Sequence, residues 1–157
     1  MITLVPMEQS EFATYFEENI GRFAQENVDN GHWQAEEALE KSRVAFQGFL
    51  PEGLQSKNQY IFNIFDNDQG FKLGLLWVEV KMDEPGRPAF VFDFIIEEQY
   101  RGIGFGKKAL FALDEILKEM GAKSVSLHVF GHNKTAFELY KKTGYEVTDF
   151  HMRKMYT

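Results

Sequence analysis

The spacing of apolar residues predicts two amphipathic helices near the start of the chain. Residues 8–28 and 34–50 carry apolar side chains three or four positions apart, with many acidic residues between them. Asn30-Gly31 separates the two helices, because both residues favour a turn. A short apolar run over 2–6 predicts a strand that precedes them.

Three further apolar runs predict a meander of strands at 60–65, 73–81 and 89–96. The last run is apolar at nearly every position, which is typical of a central strand that is covered on both faces. Asp93 is its only charged residue, and alternation predicts that it points to the face opposite Phe92 and Phe94. A carboxylate is costly to bury without a partner or a purpose, so Asp93 is a candidate for chemistry.

Helices and strands alternate in the second half of the chain. The predicted helices cover about 105–120 and 133–143, and the predicted strands cover 124–130, 145–150 and 152–156. There is no linker or repeat. Residues 1–157 are therefore expected to form one α/β domain of the α+β type, built on a mixed sheet.

Composition excludes several classes of protein. The chain has no cysteine, which excludes disulfides, thiolate metal sites and a cysteine nucleophile. The net charge of -7 argues against nucleic-acid binding, which needs a basic surface. No segment approaches the roughly 20 apolar residues that cross a membrane, and no signal peptide is recognisable. We therefore expect a cytoplasmic protein that binds neither nucleic acid nor membranes.

The charge is divided unevenly along the chain. Residues 1–98 contain 18 acidic and 7 basic residues, whereas residues 99–157 contain 6 acidic and 10 basic residues. Such a division would suit an anionic ligand near the last third and a cationic one near the rest, although ordinary surface charge explains it equally well.

A glycine-rich turn follows the predicted strand 89–96. Its sequence is Arg101-Gly102-Ile103-Gly104-Phe105-Gly106-Lys107, and a predicted helix begins within it. Alternating glycines let backbone N–H groups converge on one point, and the helix N-terminus adds unpaired N–H groups and partial positive charge. The turn therefore predicts a phosphate or pyrophosphate site.

Two familiar phosphate motifs do not fit this turn. A P-loop needs a serine or threonine after its lysine, and Lys107 is followed by Lys108. A dinucleotide-binding fold needs G-x-G-x-x-G in its first strand–helix unit, whereas these glycines are spaced G-x-G-x-G and lie two-thirds along the chain.

The turn instead resembles the R-x-x-G-x-G loop that binds acetyl-CoA in the GNAT superfamily of N-acetyltransferases, with Arg101, Gly104 and Gly106 in the motif positions. A Q-x-x-G-x-G register starting at Gln99 fits as well and is not excluded. A second segment, from Asn133 to Tyr145, is similar to the family pattern N-x-x-A-x-x-x-Y-x-x-x-G-[FY] at every position.

This resemblance implies a fold and a reaction. The fold is that of the acyl-CoA N-acyltransferases, with helices on both faces and with central strands 4 and 5, at 89–97 and 123–130, splayed apart. The reaction is direct attack of a primary amine on the thioester of acetyl-CoA, in which Tyr140 protonates the departing sulfur. The residues implied to bind the cofactor are Ile96, Arg101, Gly102, Ile103, Gly104, Phe105, Gly106, Lys107 and Asn133.

The general base and the acceptor site are less clearly marked. Asp93 is a candidate base or ammonium anchor, and a structural bond to the glycine turn is the competing interpretation. His128 and His132 are weaker candidates, because a lone histidine is more often structural. The resemblance implies that the first two helices form the acceptor site, and their acidic and aromatic residues would favour a cationic amine. The candidates are a small molecule, such as a polyamine or an aminoglycoside-like molecule, and a peptide amine, while two solvated amphipathic helices are the competing interpretation.

Three expectations complete the prediction. No grouping of His, Asp and Glu has clear metal-ligand spacing, so no metal is expected. The resemblance leaves a homodimer open. The alternative function is a GNAT domain without catalysis, which would sense acyl-CoA or bind a protein partner.

Overall fold

A computed structural model describes residues 1–156 of the chain. Its centre is a five-stranded mixed sheet in the order β1-β2-β3-β4-β5. The first three pairings are antiparallel, and β4 pairs with β5 in parallel. The strands are β1 (Ile2–Pro6), β2 (Gln59–Asp66), β3 (Phe71–Val80), β4 (Ala89–Ile96) and β5 (Val125–Leu127).

Four α-helices accompany the sheet. They are α1 (Gln9–Asp29), α2 (Ala35–Phe49), α3 (Phe105–Glu119) and α4 (Lys134–Lys142). A capping box starts each of α1 and α2. The Glu8 backbone N–H donates to the Glu11 carboxylate, and the Gln34 backbone N–H donates to the Glu37 carboxylate. None of these helices is long and apolar enough to cross a membrane within residues 1–156.

Each face of the sheet has its own core, so the expected helices on both faces are confirmed. On one face, α3 contributes Ala109, Leu113 and Leu117 to a cluster that includes Leu76 and Val91. On the other face, α1 and α2 contribute Tyr15, Ile20 and Phe46, which pack with Trp77 and Phe92. The helix predicted at about 105–120 thus buries the side that carries Leu113.

A bulge in β4 corrects one prediction about side-chain direction. Trp77 pairs with Asp93 and Val78 pairs with Val91, so Phe92 is the additional residue on β4. Such a residue breaks strict alternation. Phe92 stacks on Trp77, with ring centroids 4.6 Å apart, and therefore lies on the α1–α2 face with Asp93 rather than opposite to it. Phe94 lies on the α3 face, as predicted.

β4 and β5 diverge after three residue pairs. They pair only from Ala89–Val125 to Val91–Leu127, while β4 continues to Ile96. Strand 5 is therefore shorter than the predicted 124–130. The divergence opens a gap beside the second half of β4, which is the splay that the family resemblance implies.

The strands expected at 145–150 and 152–156 are absent, because residues 145–156 contain no regular secondary structure. Alternating side chains alone do not make a strand, since a strand also needs the free edge of a partner, and β5 offers only three residues. Arg153 instead donates hydrogen bonds to the carbonyl groups of Asn30 (2.8 Å) and Gly31 (2.9 Å). The terminal segment is thereby tied to the connection between α1 and α2.

Candidate active site

The glycine turn leads directly into α3. Gly102 and Gly104 have φ angles of 78° and 94°, which are left-handed values that favour glycine, and Gly104 is the N-cap of α3. A Cβ atom at either glycine would meet no heavy atom within 4 Å beyond its chain neighbours. The turn thus presents open backbone at the positive end of a helix.

The end of β4 presents further backbone groups beside this turn. The Glu97 N–H donates to the Leu73 carbonyl at 2.8 Å. Bonded and non-bonded pairs alternate in an antiparallel ladder, so the neighbouring Gly74–Ile96 pair is non-bonded and the Ile96 peptide groups point away from β3. On that side, Arg101 Nε donates to the Ile96 carbonyl at 2.6 Å, which fastens the turn to the strand.

Gly106 is needed for the packing of α3, not for a left-handed backbone conformation. It lies within the first turn of α3, and a Cβ atom there would come 3.1 Å from Leu139 Cδ2 of α4. The glycine therefore lets α3 and α4 approach closely. Lys107 is exposed, with its ammonium 6.0 Å from the Phe111 ring centroid.

Helix α4 carries the second motif. The Asn133 side chain accepts a hydrogen bond from the Ala136 N–H at 3.2 Å and so caps the start of this helix. Tyr140 lies two turns later on the same helix, with its ring 6.4 Å from Phe94 and 5.6 Å from Tyr145. Burial and the charges of Asp93 and Glu26 raise the pKa of Tyr140 to about 12, so the phenol keeps its proton at neutral pH.

A cavity of about 380 Å³ lies between α1, α2 and the diverging ends of β4 and β5. Tyr140 and Asn133 line it together with Asp93, so the structure brings both predicted catalytic side chains to one cavity. The other polar side chains in its wall are Glu26, Asn27, His32 and His128. Its size falls within the range of small-molecule sites.

Asp93 is held by α1 rather than by the glycine turn. Its carboxylate accepts from Arg22 Nη1 at 2.9 Å, from Arg22 Nη2 at 3.2 Å and from Tyr15 Oη at 2.8 Å. The Asp93 side chain is only 10% exposed, so this bidentate pair compensates for the desolvation of the carboxylate. The expected structural bond to the glycine turn is therefore wrong, because the Asp93 side chain points to the opposite face.

Arg22 is a residue that the sequence analysis missed. Tyr15, Asn19, Arg22 and Glu26 are spaced four, three and four residues apart, which places them on one face of α1. This polar stripe within an otherwise apolar helix face was the available signal. Asn19 is buried and donates to the Tyr15 hydroxyl at 3.1 Å, so Tyr15, Asn19 and Arg22 form a continuous network with Asp93, while Glu26 lies outside it.

The four histidines of the chain gather around Phe130, after the end of β5. The ring centroids of His128, His132 and His32 lie 4.9, 5.7 and 6.1 Å from that of Phe130, and His151 lies 6.1 Å from His32. Burial and the nearby His32 lower the pKa of His128, which favours its neutral form. No group of three or more His, Asp or Glu side chains suited to a metal occurs in residues 1–156.

Comparison with known proteins identifies the family to which this chain belongs. The family model described as acetyltransferase (GNAT) family matches residues 23–145, which include β4, the glycine turn and α4. The chain belongs to the GNAT family. It is 41% identical over 152 residues to the uncharacterized N-acetyltransferase YdgE of Bacillus subtilis, covering 97% of this chain and 96% of YdgE.

Two further relatives extend the comparison. The uncharacterized N-acetyltransferase YycN of Bacillus subtilis is 39% identical over 98% of this chain and 97% of its own. The crystal structure of YycN matches with a TM-score of 0.94, covering 100% of this chain and 99% of that structure. The spermine/spermidine N(1)-acetyltransferase of the same organism is 35% identical over 78 residues, which is 49% of this chain and 51% of that enzyme.

These findings confirm that the protein is an acetyl-CoA-dependent N-acetyltransferase of the GNAT fold. The glycine turn fits the phosphate groups of this cofactor, because its backbone is open and its cationic side chains form no ion pairs within residues 1–156. Arg101, Lys107 and Lys108 form no ion pair with any other residue in the described part of the chain.

Proposed function

We propose that this GNAT enzyme transfers the acetyl group of acetyl-CoA to a primary amine by direct attack, with Tyr140 as the general acid. The observation that carries the proposal is one cavity lined by Tyr140 and by residues 90–94 of β4, the strand that an open glycine turn follows. The thioester supplies an activated acetyl group, so no nucleophilic side chain is required. The whole chain, residues 1–157, is taken as one catalytic domain.

The cofactor would be held mainly by backbone groups. The N–H groups from Gly102 to Lys107 are assigned to the pyrophosphate, and the exposed cations Arg101 and Lys107 add charge. The Ile96 N–H points away from β3, where it can donate to the thioester carbonyl and stabilise charge that develops on the oxygen. The Asn133 amide N–H₂ makes no hydrogen bond within residues 1–156, which leaves it available to the cofactor.

Tyr140 is suited to a proton donor by its surroundings. With its pKa at about 12, the side chain is a weaker acid than an ordinary tyrosine, and it is a neutral phenol throughout the physiological range. Its hydroxyl makes no hydrogen bond within the described residues, whereas the Tyr15 hydroxyl is engaged by Asp93 and Asn19. A neutral, unengaged phenol can donate to the thiolate as the carbon–sulfur bond breaks.

Asp93 has two candidate roles, of which one is the removal of the amine proton. Asp93 as a general base stays a prediction, and its position in the cavity wall supports it. Its three hydrogen bonds support another role, which is to hold Arg22 and Tyr15 against β4. The two roles predict different pH dependences of kcat for an Asp93 variant.

The competing function is a non-catalytic domain that senses acyl-CoA. A sensor needs the glycine turn and Asn133 but has no use for a proton donor. The unengaged phenol of Tyr140 at the centre of the cavity therefore favours catalysis.

Replacement of Tyr140 by phenylalanine tests the catalytic proposal. We expect Tyr140→Phe to lower kcat by about 10²–10⁴, because general acid assistance typically contributes this much. Thiol release from acetyl-CoA with a panel of primary amines measures the rate, and calorimetry should give an unchanged Kd for acetyl-CoA.

Tyr145→Phe is the matched control. The Tyr145 hydroxyl is buried without a hydrogen-bond partner within residues 1–156, and its ring packs edge-on against Tyr140. This variant should retain the wild-type rate. Equal rates for wild type and Tyr140→Phe would remove the acid role, and the absence of acetyl transfer by a wild type that binds acetyl-CoA would favour the sensor.

A further inference from the structure

The wall of the cavity is dominated by phenylalanine. Seven of the 16 phenylalanines in the chain contribute to it, at positions 23, 46, 49, 90, 92, 94 and 130. Several of them contact one another, for example Phe49 and Phe92 with ring centroids 4.7 Å apart. Such a wall suits an apolar body, and aromatic ring faces also attract a cation.

Only two side chains in the wall are acidic, namely Asp93 and Glu26. The charge of Asp93 is already matched by the bidentate guanidinium of Arg22. Glu26, in contrast, has no ion-pair or hydrogen-bond partner for its carboxylate within residues 1–156. The cavity therefore contains one uncompensated negative charge.

The position of Glu26 makes this lack of a partner unfavourable for the stability of the folded chain. The side chain is half-buried beside the phenylalanines, and this burial raises the pKa of Glu26 above its ordinary value. A carboxylate that loses water without gaining a partner destabilises the folded chain. A ligand with a positive charge beside Glu26 would replace the electrostatic stabilisation that the carboxylate loses when burial removes its hydration.

We infer that Glu26 binds the ammonium group of the acceptor, and that the acceptor is a small monoamine with an apolar or aromatic body. The inference rests on the proposed function and specifies its substrate class. The phenylalanine wall receives the body of the molecule, and Glu26 supplies the single counter-charge. The same pairing would hold the amine in the cavity that Tyr140 lines.

A polyamine fits this cavity poorly. Spermidine carries three ammonium groups at neutral pH, and the cavity offers one carboxylate without a partner. Further ammonium groups would lose their hydration against phenylalanine rings without gaining an anion, which is unfavourable. The number of unpaired carboxylates thus distinguishes a monoamine from a polyamine site.

Two amines of different class test the inference by calorimetry. The probes are 2-phenylethylamine and spermidine, titrated into the full chain with and without saturating CoA. The neutral analogue 2-phenylethanol measures the contribution of the charge. We expect 2-phenylethylamine to bind more tightly than either of the other two.

The Glu26→Gln variant should weaken 2-phenylethylamine binding by about tenfold or more, since a hydrogen bond to a charged group is involved. Binding of 2-phenylethanol should stay unchanged, which shows that the cavity is intact. Glu18→Gln removes the same charge from an exposed position of α1 outside this cavity, and it should bind like wild type.

Tighter binding of spermidine than of 2-phenylethylamine would overturn the inference, and so would equal affinity of wild type and Glu26→Gln for 2-phenylethylamine. A separate titration with acetyl-CoA keeps the two proposals apart. If acetyl-CoA fails to bind, the proposed function fails, while the amine titrations without CoA still decide the role of Glu26. If acetyl-CoA binds and only the amine prediction fails, acetyl transfer stands with another acceptor.

Discussion

The cofactor side and the acceptor side that we propose for this enzyme are built in different ways. On the cofactor side, the glycine turn and the first turn of α3 are contiguous in sequence and present mainly backbone groups. On the acceptor side, α1, α2, β4 and the residues after β5 each contribute a few side chains to the cavity. A backbone site requires particular residues at fixed spacing, whereas a side-chain site can draw residues from anywhere in the chain.

The two sides also differ in how they treat charge. The cations beside the glycine turn are exposed and unpaired, so they remain hydrated until an anionic ligand arrives. The acidic groups of the cavity are partly buried, and Asp93 is compensated by Arg22 while Glu26 is not. The first arrangement costs little folding stability, and the second carries a penalty that a ligand can relieve.

The sharpest test of the cofactor side is Gly104→Glu. The added carboxylate would lie at the positive end of α3 in the position assigned to phosphate, so we expect acetyl-CoA affinity to fall by about 100-fold or more. Calorimetry with acetyl-CoA measures this loss.

Gly70→Glu provides the matched control for the backbone. Gly70 has a similar φ angle of 77°, equally open space around its Cβ position and a location in the turn between β2 and β3. Both variants therefore bear the same conformational cost, and only Gly104→Glu should lose the cofactor. Retained binding in Gly104→Glu would mean that the turn is a structural connection.

Asp93→Asn tests the centre of the acceptor side. Removing the charge leaves Arg22 without its partner, so we expect the free energy of unfolding to fall by about 2 kcal/mol. Urea unfolding followed by tryptophan fluorescence measures the change. If Asp93 is also the base, the pH dependence of kcat must change. If Asp93 only holds Arg22 and Tyr15 in place, the folded variant keeps the pH profile of wild type.

The smallest expected effect concerns the stability of the free enzyme. The pKa of Glu26 is raised in the folded chain, so its contribution to stability is present at low pH and is lost as the pH rises through the folded pKa. Glu26→Gln should therefore raise Tm at pH 7 by about 1–3 °C, with no difference from wild type near pH 4. Thermal melts from pH 4 to 8 follow the difference.

The charged groups that face Glu26 belong to several elements, and they act on both proteins alike. They are Arg22 and Asp29 of α1, Asp93 of β4 and His132 after β5. Wild type and Glu26→Gln both carry these groups, and only the carboxylate of Glu26 differs between them. A lower Tm for Glu26→Gln at pH 7 would mean that Glu26 has a stabilising partner and that the cavity charge is already compensated.

Sequence reasoning succeeded where local chemistry decides structure. The helices at the start of the chain and around Leu113 follow from apolar periodicity, and the boundaries of β4 agree with its unbroken apolar run. It failed where a segment depends on a distant partner. The strands expected within 145–156 lacked a suitable sheet edge, and the bulge at Phe92 turned that side chain to the other face.

The sequence by itself determined the family, the position of the glycine turn that we assign to the phosphates, and the helix that Asn133 caps and Tyr140 lies on. Those features depend on glycine conformation and on helical repeat, which act over a few residues. Only the tertiary structure paired Arg22 with Asp93 across 71 residues and left Glu26 uncompensated among phenylalanines. Charge compensation and burial depend on what the fold brings together, and neither is encoded in local spacing.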